Sequence, residues 1–412
     1  MPPTLFYGVD ASLSLDVGPD AVLAECRAPR EGSIADPAAA VTTALAAPLD
    51  FPPVSRAAVP GDRIAIALAD GVPRSQAAVA GVVKYLVETG TLPEAITVVR
   101  ASNGHADVDP RAQLPAEMAG QVGLVTHDPD DRAQLAYLAA SHEQRPIFVN
   151  RTLFDADLVL PIGCQRLDES LGAYGVHGGL FPSFADRDSI DRFRAPSSAE
   201  SKIHVARRRQ EADEAARQLG IFITIQLVPA AEGHVLHVVA GEPTSVARQA
   251  AALCAAAWHH SVRRRASLVV ASIGGDPHEQ SWDNLARALA AASRVAEPGG
   301  AIALCTELAV SPGTALDHLS AAQNLSAALR EIRRDRSDDA WTASQLAQQL
   351  DRGSIYLLSE LDDELVESLG MAPVQSPEEI ERLAHHHDTC ILLEDAQYAV
   401  PTVEDEAEAE LA

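Results

Sequence analysis

Lysine is almost absent from this chain: in 412 residues it occurs only at Lys84 and Lys202. Arginine therefore carries nearly all the positive charge, and a guanidinium stays protonated and does not replace lysine in covalent chemistry. Aromatic residues are scarce as well, at 4%, so any core must be built from Ala, Val, Leu and Ile. Positive charge as a whole is in deficit. The formal net charge of -26 excludes broad attraction to nucleic acid or to an anionic membrane, which depends on neutralising phosphates. A local basic pocket for a small anion stays open.

The cysteines (Cys26, Cys164, Cys254, Cys305, Cys390) are widely spaced and form no CxxC pair, which reads as reduced thiols in a cytoplasmic protein. No basic segment followed by an apolar run opens the chain, so no signal peptide is expected. No apolar stretch approaches the roughly 20 residues of a membrane span.

What is present is globular composition, 47% hydrophobic and 22% charged. The length exceeds the roughly 250 to 300 residues at which one core stops growing, which predicts two domains. Apolar runs predict strands at 63–69, 95–100, 122–126, 146–149 and 156–162, with helices at 76–88 and around 133–141. A strand, a helix ended near Gly90 and a second strand make a βαβ unit with parallel strands. After a glycine-rich loop come a helix near 198–219, strands at 221–227 and 235–241, and a helix at 245–257. A second open α/β unit begins at 267–273 and continues through a helix at 282–296 to strands at 301–306, 354–359 and 389–393. The fold class expected is thus α/β, two domains with mostly parallel, open sheets. The boundaries are 1–262 and 263–402, with an acidic tail at 403–412 and three consecutive arginines, Arg263 to Arg265, at the hinge.

Loops beyond the carboxyl ends of parallel strands form the usual ligand crevice. Asp70 and Arg74 follow the first strand: Arg74 would grip a carboxylate in bidentate fashion with Asp70 orienting it, or the pair is a solvent turn with a capping Asp. His105 follows the next strand and is either a proton acceptor or a surface histidine. Gly175, His177, Gly178 and Gly179 form a ligand loop or a plain turn. His127, Asp128 and His177 all lie in loops without the tight spacing of a metal site, so no metal ligand is assigned. Gly274-Gly275-Asp276 lacks the full GxGxxG pattern of a dinucleotide loop. Asn284 and Arg287, three apart on one helix face, are an anion contact or a solvated surface.

The ordered series of Gly61 to Arg74, Gly104-His105, Val149-Asn150-Arg151 to Ile162-Gly163, Gly175 to Gly179, Asp283 to Leu289 and Pro298-Gly299-Gly300 resembles the nickel-pincer-dependent lactate racemase family over most of the chain. The resemblance implies isomerase chemistry. A cofactor takes hydride from C2 of a 2-hydroxy acid while a histidine takes the hydroxyl proton, and hydride returns to the other face. It implies His105 as one catalytic base and Asp70, Arg74, Asn284, Arg287 and Trp341 near substrate, with Trp282 competing with Trp341. Three family positions depart. Leu171 stands where a second catalytic histidine belongs, Phe181 where a lysine tethers the cofactor, and Phe193-Arg194 where a nickel-ligating histidine falls.

A scaffold outlasts its chemistry. The expectation is therefore a divergent lactate-racemase-like protein without the tethered nickel-pincer nucleotide, binding a small carboxylate or other small anion. The alternatives are an atypical 2-hydroxy-acid racemase or epimerase with His177 in place of the missing base, and an inactive regulatory subunit of a homologous enzyme. Self-association or a homologous subunit is the expected protein partner.

Overall fold

A computed structural model of the chain describes residues 2–18, 21–101, 108–167, 175–194, 202–322, 324–335 and 337–404. Two six-stranded sheets dominate it. The first runs Val235–Gly241, Thr224–Pro229, Leu158–Cys164, Ile64–Leu68, Ile96–Arg100, Gly123–Thr126. Its strands are parallel except Val235–Gly241, which returns antiparallel beside Thr224–Pro229. The central strand Ile64–Leu68 is buried along its whole length, as a parallel strand covered on both faces must be, and its sequence is correspondingly a continuous apolar run.

The second sheet is parallel throughout, in the order Ala372–Val374, Ser354–Leu358, Ala296–Cys305, Ala266–Ser272, Cys390–Leu393, Val22–Cys26. Its outermost strand comes from the first 26 residues of the chain. The second sheet thus draws on both ends of the sequence, whereas the sequence reading kept residues 1–262 together. Strands His259–Val262 and Val400–Val403 also pair, in parallel, next to the predicted hinge.

One predicted helix is replaced. Residues around 133–141 form a strand, Leu135–Ala140, paired antiparallel with Pro146–Asn150 in a separate two-stranded sheet. The spacing between the strands on either side leaves room for a helix. Cross-strand contact between Tyr137 and Phe148, ring centroids 5.8 Å apart and edge-on, favours the hairpin instead. The large cores on either side of the sheets are aliphatic, as the composition required. Among the described residues no helix is long and apolar enough to cross a membrane.

Candidate functional site

In the first sheet the strand order reverses at Ile64–Leu68: later strands are added on one side through Ile96–Arg100 and on the other through Leu158–Cys164. Loops leaving two adjacent parallel strands in opposite directions open a crevice between them. Here those loops carry Asp70 and Gly71 on one side and Gln165 and Arg166 on the other. They line a cavity of about 980 Å³ that is closed by Gly175 to Gly179, by the helices Lys202–Gln218 and Pro243–Trp258, and by Asp283, Arg287, Asp338 and Trp341 of the second half.

The equivalent crevice of the second sheet lies between Ala266–Ser272 and Cys390–Leu393, and the protein fills it with its own side chains. Asp395 Oδ1 accepts from the Gly274 amide at 2.8 Å, and Gln397 Nε2 donates to the Gly274 carbonyl at 3.2 Å. A methyl group on Gly274 would stand 2.3 Å from Asp395 Oδ1, and one on Gly275 2.7 Å from Glu279 Cγ. These glycines admit carboxylate side chains, and no room is left at that turn for a dinucleotide phosphate. Asp395 Oδ2 also accepts from the Glu232 amide of the first half at 2.9 Å. Burial pushes this carboxyl up to about 7.

Two guanidiniums dominate the floor of the cavity. Arg287, on the helix Trp282–Val295, feels the charge of Arg166, and burial together with that repulsion lowers its pKa. Arg287 Nη1 donates to Asn284 Oδ1 at 2.9 Å, and its Nε is buried without a hydrogen-bond partner. Arg166 Nη1 donates to the Gln397 carbonyl at 3.2 Å while its guanidinium lies 4.6 Å from the Tyr398 ring centroid. Among the described residues neither guanidinium forms an ion pair with a carboxylate.

Trp341 Nε1 and His177 Nδ1 are likewise buried at the cavity wall without partners. Burial, with the Arg217 charge adding to it, pushes His177 down to about 4, so the imidazole is neutral at pH 7. Gly179 is the position that brings this loop onto the sheet, since a Cβ there would come within 2.8 Å of the Ala69 Cβ.

Asp70, Gly175, His177, Gly178, Gly179, Arg287 and Trp341 therefore line one cavity. Arg74 does not. It sits in left-handed backbone, φ 50°, and its Nη2 lies 3.1 Å from Nε2 of His234. Asn284 is behind the wall: its Nδ2 donates to the backbone and side-chain oxygens of Glu279, both at 2.9 Å, and it acts on the cavity only by holding Arg287. Trp282 is core, with Nε1 donating to the Val310 carbonyl at 2.8 Å. His127 is structural, its Nε2 2.7 Å from the Ala185 carbonyl and its Nδ1 3.1 Å from Asn150 Nδ2. His105, Leu171 and the acidic tail beyond residue 404 lie outside the described residues.

The sequence reading missed Arg166, Gln226, Asp213, Arg217, Glu242, Arg248, Asp283 and Asp338, all of which line the cavity. Arg166 had a signal, since it stands four residues beyond the predicted strand 156–162 and two beyond the observed strand Leu158–Cys164. The helix residues had none, because their helices reach the crevice only through tertiary packing.

The positions tied to the family's cofactor are occupied differently. Phe181 is 1% exposed and packs edge-on against Phe193, ring centroids 5.3 Å apart, in a cluster with Ile147, Val149 and Ala212 rather than on the cavity. Arg194 Nη1 lies 3.4 Å from Asp338 Oδ1, which also receives Arg187 Nη1 at 2.6 Å. Lys84 is on an exposed helix face, 4.0 Å from Glu88. Among the described residues no three His, Cys, Asp or Glu side chains group as a metal site would require. At position 181 the side chain is a phenyl ring in apolar packing, with no amine to carry a tether.

Residues 7–204 match the model of the lactate racemase N-terminal domain and are homologous to it. The fold resembles the lactate racemase apoprotein from Thermoanaerobacterium thermosaccharolyticum, with a TM-score of 0.79 at 16% identity, over 97% of this chain and 100% of that one. A structural-genomics protein from Thermotoga maritima is similar over 89% of this chain and 97% of its own, with a TM-score of 0.63 at 14% identity. No curated protein matches the sequence.

Proposed function

Starting from a first half homologous to the lactate racemase N-terminal domain, we propose that this protein binds a small organic anion of the 2-hydroxy-acid class in the cavity between its two sheets, without a tethered nickel-pincer nucleotide. One observation carries the reading: Arg166 and Arg287 present two like charges to one partly buried cavity, and among the described residues neither forms an ion pair with a carboxylate, the charge of buried Glu279 reaching both only from beyond ion-pair distance. Half-buried unpaired cations are costly. A bound carboxylate relieves both the repulsion and the desolvation, and the guanidinium fork matches its two oxygens. The Arg287 Nε and Trp341 Nε1 donors, buried and unpartnered, supply further hydrogen bonds to an acceptor-rich ligand. The absence of a tether rests on Phe181, which offers no amine and is committed to apolar packing.

Calorimetric titration with glycolate, lactate and glycerate tests binding, and intact-mass and elemental analysis of protein coexpressed with pincer-cofactor biosynthesis tests the tether. Saturable binding to metal-free protein at the unmodified mass supports the reading. Failure of all three acids to bind sinks its first half, and a retained nickel nucleotide sinks its second.

A second reading, an atypical racemase, has one observation in its favour: a neutral imidazole, His177, faces the same cavity with Nδ1 unpartnered. Interconversion of D- and L-lactate followed by chiral analysis, lost in His177→Gln, would decide for it.

A further inference from the structure

The cavity is too large for the anion that its floor accommodates. Its volume of about 980 Å³ stands at the upper end of the roughly 300–1,000 Å³ typical of sites for drug-sized ligands. A three-carbon acid held by Arg166 and Arg287 leaves most of that space to something else.

The remaining wall is also cationic. The helices Lys202–Gln218 and Pro243–Trp258 bring Arg217 and Arg248 to the cavity from outside the first sheet. Among the described residues neither arginine has a carboxylate within ion-pair distance. One acidic side chain of this wall is already engaged. Glu242 caps its own helix, with Oε2 accepting from the Ser245 amide at 2.8 Å and Oε1 from the Thr244 hydroxyl at 2.9 Å. Asp213 also lines this wall; burial raises its carboxyl above the ordinary range while the charges of Arg209 and Arg217 act against that.

The two groups come from different elements: Arg166 and Arg287 from the loop after Leu158–Cys164 and from the helix Trp282–Val295, Arg217 and Arg248 from the helices Lys202–Gln218 and Pro243–Trp258. His177, 9% exposed and with an unpartnered ring nitrogen, marks the second end as a place built to meet a polar ligand group. On a chain of net charge -26, the solvent-exposed Arg217 and Arg248 add positive charge to a cavity that already holds Arg166 and Arg287.

Resting on the proposed anion site, we infer that the ligand carries a second anionic group, a phosphate or a carboxylate, several bonds from the first, and that Arg217 and Arg248 receive it. The first head lies on Arg166 and Arg287, and the chain between the heads runs past His177.

The test uses three six-carbon probes that differ only at the far end: gluconate, glucarate and 6-phosphogluconate. Titration calorimetry on the full chain at fixed ionic strength gives their Kd values. A two-ended probe should bind at least tenfold tighter than gluconate, and whether glucarate or 6-phosphogluconate has the larger advantage tells carboxylate from phosphate. In the Arg217→Gln/Arg248→Gln double variant that ratio should fall to about one, while Arg166→Met should weaken all three probes at least tenfold. Thermal melts confirm that both variants are folded. If gluconate binds but the two-ended probes gain nothing, or keep their gain in the double variant, this inference is overturned and the anion site stands. If none of the three binds, both readings fall.

Discussion

Replacing Arg166 with Met separates a cation held for a ligand from one held for the fold. Without ligand, Arg166 makes two identifiable favourable contacts, its hydrogen bond to the Gln397 carbonyl and its position over the Tyr398 ring. Each is worth about 1 kcal/mol. The charge of buried Glu279 favours the Arg166 cation from beyond ion-pair distance, while desolvation and the like charge of Arg287 oppose it. Exchanging buried charges for apolar side chains of similar volume is often neutral or stabilising, by roughly 1 to 4 kcal/mol. The terms nearly cancel, so the variant should keep its folding stability to within about 1 kcal/mol or gain some. Affinity should move the other way. Truncating one partner of a desolvated charge pair costs about 2 to 5 kcal/mol of binding, from about 30-fold to several thousand-fold in Kd. Urea unfolding of the ligand-free protein and calorimetric titration with lactate measure the two quantities separately. A variant that loses 2 kcal/mol or more of stability while binding lactate as before would refute the argument, because Arg166 would then be a structural residue.

Further expectations concern pH and packing. His177 has a folded pKa of about 4, below its unfolded value, so between about pH 4 and 6.5 the unfolded chain binds the extra proton and stability falls as pH falls. The loss reaches about 3 kcal/mol, and the corresponding slope in thermal melts should flatten in His177→Gln. Asp395 acts in the opposite sense. Its carboxyl is raised to about 7, so the folded state keeps a proton that the unfolded chain releases. Its contribution is full below about pH 4 and is lost as pH rises to about 7, and melts of Asp395→Asn should lack that component. Phe181→Lys places an ammonium among Ile147, Val149 and Phe193 and should cost several kcal/mol in urea unfolding. Acquisition of stably bound nickel by that variant without loss of stability would show that the position still faces the cavity.

Much of the architecture was legible because a parallel α/β sheet writes itself locally. The run from Ile64 to Leu68 is apolar throughout because both faces are covered, and the helix Ser75–Glu88 follows at the spacing a crossover needs. The segment around 133–141 was misread because the gap between predicted strands has room for a helix, and the partner strand with Phe148 decides otherwise. Asp70, His177 and Arg287 were found through their places in loops and in the family pattern. Arg74 was chosen for the same reason, yet its guanidinium turns to His234, a residue 160 positions away whose proximity no local pattern reports.

Composition and charge were settled by the sequence itself, and so were most of the central parallel strands and their crossover helices, whose patterns depend on neighbours a few residues away. So were the three departures from the family pattern, at Leu171, Phe181 and Phe193-Arg194, which are visible as residue identities. Tertiary structure alone decided that Val22–Cys26 completes the second sheet, that Phe181 is core, and that arginines from a strand loop and three helices meet in one cavity. Those outcomes depend on which faces pack together across hundreds of residues. An arginine in the sequence carries the same charge whether its partner is a carboxylate, water or a ligand, and only the folded chain shows that Arg166 and Arg287 face each other without one.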